Sequence, residues 1–140
     1  MAIKKLVQYN RNNEVRGFGS VVGKATFSEM TEAGITATEI VSIPAGALIT
    51  GLYIDVAEAF DGGATIDVGI STDTDKFYND LDITTAGITK GTGVDVKTLD
   101  ITRILLTHTV TGTPTTGKLS VYVTYADLEC VTGNYVESGK

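Results

Sequence analysis

At 140 residues and 14.7 kDa, the chain has the size of a single domain, and a chain this long buries roughly 68–70% of its unfolded surface. With 42% apolar residues and a mean hydropathy of +0.13, it holds no run of about 18 apolar residues able to span a bilayer, so no membrane partner is expected. Its net charge of −6 and pI near 4.6 argue against nucleic acid, because neutralising phosphates requires clustered Lys and Arg.

Residues 1–33 differ from the rest. They hold Lys4, Lys5, Arg11, Arg16 and Lys24 against Glu14, Glu29 and Glu32, a balance of +2 beside −8 for residues 34–140. The segment is rich in Asn and Gly, and its apolar residues Ile3, Leu6, Val7, Val21 and Val22 are too sparse for a core. It reads as an N-terminal arm, or as the source of an edge strand within 3–9 or 24–30. The opening MAIKKLVQYNRNNEV has no apolar stretch of about 7–15 residues, so no export signal is expected. Cys130 is the only cysteine and completes neither a disulfide nor a Cys-x-x-Cys pair, which fits synthesis in a reducing cytosol.

Residues 34–140 carry the signature of an antiparallel β-sandwich: short β-rich runs punctuated by Gly, Asp, Thr and Pro. The 22 threonines point the same way, since β-branched side chains pack well on a pleated surface. Residues 35–43 alternate, and Pro44-Ala45-Gly46 then turns the chain. Leu48, Leu52, Ile54 and Val56 define the clearest strand, Phe60-Asp61-Gly62-Gly63 ends it, and Ile66, Val68 and Ile70 alternate again. The short Asp-Gly-Gly link predicts a hairpin between these two runs. Residues 71–93 show little periodicity and are expected to form a loop excursion with a helical turn around 76–80. Further strands are expected at 94–101, 103–110 and 118–127, giving about seven or eight in all, with no amphipathic helix of three turns and no repeat.

Catalytic chemistry finds no foothold. The single histidine, His108, shares its predicted strand face with Ile104, Leu106 and Val110, where it reads as a packed or interface residue without a Ser, Cys or metal partner. Ile104, Leu106 and His108 are therefore the candidate oligomer interface. Asp73, Asp75, Asn79, Asp80 and Asp82 invite a calcium reading, but the EF-hand template fails: Phe77 stands at the third ligand position, Tyr78 at the required glycine and Thr84 at the final glutamate. A solvated acidic loop is expected instead. Gly17-Phe18-Gly19 lacks the rest of a dinucleotide loop. No cofactor and no enzymatic activity are expected.

The segment Ser42-Ile-Pro-Ala-Gly-Ala-Leu-Ile-Thr-Gly-Leu-Tyr-Ile-Asp-Val56, the turn Ala-Phe-Asp-Gly-Gly63, the run Thr65 to Ile70 and the closing Leu119 to Tyr125 resemble small virion proteins of tailed bacteriophages. This resemblance covers residues 40–126. It implies a jelly-roll-like sandwich on the phage particle, made in the host cytoplasm, most often as a head decoration or cement protein, or as part of a fibre or tail. It also implies a homo-oligomer, a trimer favoured, whose partner is the major capsid protein or a neighbouring virion subunit. Lys4, Lys5, Leu6, Arg11 and Arg16 of the arm are the candidate capsid-binding residues. The alternative is a carbohydrate- or calcium-dependent binding module, since jelly rolls also serve as lectins; Phe77 and Tyr78 are the aromatics it would use.

Overall fold

The computed structural model describes residues 18–32, 36–110 and 112–128. Nine strands, β1 (Phe18–Thr26), β2 (Ala37–Ile43), β3 (Ala47–Glu58), β4 (Ala64–Ile70), β5 (Asp73–Asp82), β6 (Gly87–Lys90), β7 (Val96–Lys97), β8 (Thr102–Val110) and β9 (Lys118–Asp127), make up nearly all of it, with one four-residue helix, α1 (Phe27–Met30). They form two antiparallel sheets, ordered β1-β9-β3-β6 with β7 on β3, and β2-β8-β4-β5. The pairs β1–β9, β2–β8, β3–β6 and β4–β5 are nested one inside the next, which is the jelly-roll connectivity. The all-β sandwich expected from the sequence is the fold observed.

Alternation builds the core. Ile49, Leu52, Ile54, Val56, Leu119, Val121 and Val123 of one sheet face Val41, Ile43, Ile66, Val68, Ile104 and Leu106 of the other, all buried. Each such side chain contributes about 1.5–3 kcal/mol relative to exposure, so register is fixed wherever this face is fixed. On one flank the sheets nearly touch: a Cβ on Gly23 of β1 would collide with the Ile40 carbonyl of β2. Only glycine lets the two backbones approach this closely.

Three expectations are corrected. The runs on either side of Phe60-Asp61-Gly62-Gly63 do not form a hairpin, because β3 and β4 belong to different sheets. Phe60 is buried, and Asp61 accepts hydrogen bonds from Thr115 N (2.6 Å), Thr115 Oγ1 (2.7 Å) and Thr116 N (2.9 Å), so the turn carries the chain across the sandwich and clamps the link between β8 and β9. Gly117, at φ +142°, lies against the Phe60 ring with no room for a Cβ. Second, residues 71–93 contain β5 and β6, not a loop with a helical turn. Register shifts in the β4–β5 pairing, with Asp80 at φ +52° donating its N–H to Asp67 Oδ1 at 2.8 Å, break the alternation: Phe77 and Leu81 are buried but Asn79 between them is exposed, a four-residue repeat that imitates a helix. Third, the strand expected at 94–101 shrinks to β7.

The Pro44-Ala45-Gly46 turn launches β3 as expected, and Thr98 holds it. The buried Thr98 hydroxyl donates to Pro44 O (2.7 Å) and accepts from Ala47 N (3.0 Å), while the backbone bonds Thr98 N to Ala47 O and Gly46 N to Thr98 O close the lock. Replacing Thr98 by Val leaves the Ala47 N–H and Pro44 carbonyl unsatisfied, and denaturant unfolding is expected to show a loss of about 1–3 kcal/mol. The Asp61 carboxyl is held at about 2, below its ordinary 3.8, chiefly by the Thr115 hydroxyl and the Thr116 and Thr115 N–H groups. A depressed carboxyl pKa gives stability that is complete above the unfolded value and is lost as pH falls toward the folded one. Asp61→Asn should therefore be less stable than the parent near neutrality, with the gap closing between about pH 4 and pH 2 in thermal melts; a constant gap would show that Asp61 acts without its charge.

Candidate functional site

The residues proposed from sequence separate into three groups. Lys4, Lys5, Leu6, Arg11 and Arg16 lie outside the described residues, as does Cys130. Ile104 and Leu106 are fully buried in the chain's own core, so they offer nothing to a partner subunit; the alternation that put them on one face with His108 made that face the inward one. Of the three, only His108 reaches the surface, at the end of β8, where Thr31, Gly112, Thr113 and Pro114 complete a hollow of about 260 Å³.

The His108 ring is half-buried at this mouth. Its Nδ1 is enclosed without a hydrogen-bond partner among the described residues, and burial lowers its pKa below 6.5. The larger hollow, about 410 Å³, is lined by Ile70, Ser71, Thr72, Ile101, Thr102 and Leu105 around the exposed Arg103–Glu39 ion pair (3.4 Å). The acidic residues of β5 do not converge: among the described residues no three His, Cys, Asp or Glu side chains are placed to hold a metal ion. Phe77 is a core residue and Tyr78 is half-buried, so neither forms a sugar-stacking platform. Among the described residues no helix is long and apolar enough to cross a membrane.

What sequence reasoning missed is the outer face of the β1-β9-β3-β6 sheet. Register sets Val22, Tyr122, Tyr53 and Lys90 side by side across its four strands, and Lys24, Ser120, Asp55 and Ile88 form the next row. Val22 is 43%, Tyr122 46%, Tyr53 39% and Ile88 74% exposed. A contiguous exposed apolar stripe on a sheet face, rimmed by charge, is the usual mark of a docking surface. Lys97 lies further along the same face, opposite Leu48. The outer face of the other sheet is polar, with Arg103, Thr107, Thr65, Asp67 and Asp82 in its rows.

No protein-family model and no curated protein matches the chain. Among solved structures, the sandwich matches a chain of the cyanophage Pam1 capsid asymmetric unit with a TM-score of 0.63 and 19% identity, over 86% of this chain and 93% of that one. The fold is one found in phage capsids. A chain in the acidic stable capsid of Helicobacter pylori bacteriophage KHP30 matches at TM-score 0.58 and 16% identity, covering 76% of this chain and 86% of its own length. One from the capsid of Ralstonia phage GP4 matches at 0.58 and 15%, covering 89% and 93%.

The lowered pKa of His108 has a sign that can be read out. Because the unfolded chain binds the proton more tightly, stability is complete above about pH 6.5 and falls as pH drops through the folded pKa. His108→Gln is expected to remove this dependence, so that the parent loses melting temperature relative to the variant as pH falls below about 6.5. Parallel curves would place the titration elsewhere.

Proposed function

We propose that the chain is a structural virion protein of a tailed bacteriophage, a decoration or cement protein that binds the outer capsid surface and has no enzymatic role. The observation that carries this reading is the length of the fold match. The three capsid chains are covered over 86–93% of themselves, so single sandwiches of about this size occur as separate components of phage capsids. Their capsid origin favours the head over a fibre or tail position. The partners are then the major capsid protein or neighbouring virion subunits, and the virion is the site of action. A homo-oligomer, a trimer favoured, is part of the same reading, since closed cyclic symmetry satisfies an interface without open edges.

The arm belongs to this proposal in a shortened form. Phe18–Thr26 is strand β1, paired along its whole length with β9, so the attachment segment is residues 1–17, with Lys4, Lys5, Leu6, Arg11 and Arg16 as its capsid contacts. Four bases against Glu14 favour encounter with an acidic shell. Purified full chain is expected to co-sediment with undecorated capsids, whereas the chain lacking residues 1–17 keeps its strand-rich circular dichroism and stays in the supernatant. A full chain that ignores capsids overturns the decoration reading; unchanged binding after truncation overturns the arm.

A further inference from the structure

We propose that the outer face of the β1-β9-β3-β6 sheet is a self-association surface, and that its occupant is the acidic β5 edge of a second copy of this chain. The inference rests on the oligomer reading above and assigns it residues.

Charge is segregated between two sides of the sandwich. Of the six basic residues among those described, Lys24, Lys90 and Lys97 share this one face, Arg103 and Lys118 sit against Glu39 and Glu58 at 3.4 and 3.5 Å, and Lys76 is the one base on β5, half-buried among its four aspartates. Across the Val22-Tyr122-Tyr53-Lys90 row and the Lys24-Ser120-Asp55-Ile88 row beside it, Asp55 is the lone carboxylate. Three of the six bases among the described residues thus stand around this exposed apolar stripe.

The complementary surface lies on the same molecule. Strand β5 is the edge of the opposite sheet, and Asp73, Asp75, Asp80 and Asp82 are all exposed along it. Among the described residues, the chain following β6 closes only its middle, where Thr92 N donates to Phe77 O at 2.8 Å, and leaves the acidic ends on either side exposed. An edge strand left uncovered is a standing invitation to association. Lysines rimming an aromatic and aliphatic centre on one copy, set against carboxylates on the next, give the charge match that fixes register and suppresses wrong pairings. The contact joins two different patches, a face and an edge. It is heterologous, and because the patches are not on opposite faces each added copy is rotated, which lets the assembly close instead of growing as a straight fibre.

The test is sedimentation equilibrium of the full chain over a wide concentration range, with capsid co-sedimentation run in parallel. The parent should self-associate, and about 0.5 M salt should weaken this. Tyr122→Asp, and separately the pair Lys24→Glu and Lys90→Glu, should each raise the dissociation constant about tenfold or more. The pair Asp73→Lys and Asp75→Lys should do the same, and combining the lysine and aspartate reversals in one chain should restore association. All are exposed positions, and unchanged melting temperatures confirm that the variants fold. A parent that is monomeric throughout overturns the proposal, as does an oligomer indifferent to these substitutions or a double reversal that restores nothing. Variants that keep the parental oligomer but lose capsid binding would also overturn it, by giving the face to the shell. Loss of capsid binding by every protein, with association behaving as expected, would sink the decoration reading and leave this one standing.

Discussion

Everything in this molecule depends on a single apolar layer, thin enough that each strand of either sheet can bury only one of its two faces. A β-strand alternates its side chains, so seven to twelve residues supply at most a handful of core side chains, and two sheets must contribute to one interior. The burial of Ile54, Val121, Ile104 and Leu106 at 0% exposure shows how completely that interior is filled. No strand can slip by one residue without turning its core set into solvent.

A jelly roll makes a second demand, because the chain must repeatedly leave one sheet for the other, and these crossings carry polar backbone past the ends of the core. Here they are tied by side chains distant in sequence. Thr98 satisfies the turn that launches β3, 51 residues away from Ala47, and Asp61 gathers the link before β9 from 54 residues away. Both locks are chemically small, one hydroxyl and one carboxylate. They matter because an unsatisfied backbone group at such a corner costs more than a made bond gains. The glycines at 23 and 117 play the steric counterpart, admitting close approach where a side chain would push the sheets or the Phe60 corner apart.

With both inner faces committed, the outer faces are free to differ, and function in such a fold is written there. One outer face carries tyrosines and aliphatic groups with lysines at its margin, while the edge of the other sheet is studded with aspartates.

By itself the sequence determined the class of structure: the period of two in residues 52–56, 66–70, 104–108 and 119–123, the turn at Pro44-Ala45-Gly46 and the threonine-rich composition are local properties that need no partner to be read, whereas the bulge between Ile49 and Gly51 puts Ile49, not Leu48, in the core beside Leu52. The phage resemblance was likewise legible, because its turn motifs are local. Only the tertiary structure decided which sheet each strand joined. Asp-Gly-Gly permits a hairpin, and nothing local reveals that Phe60 is pulled into the core while Asp61 reaches Thr115. The register shifts within β5 hid that strand, because a bulge breaks the alternation by which strands are recognised. The face of Ile104 and Leu106 was correctly drawn, but alternation defines two faces without saying which is inward. That choice belongs to the opposing sheet, and with it came the placement of Val22, Tyr122, Tyr53 and Lys90, four residues far apart in the chain, in one exposed row.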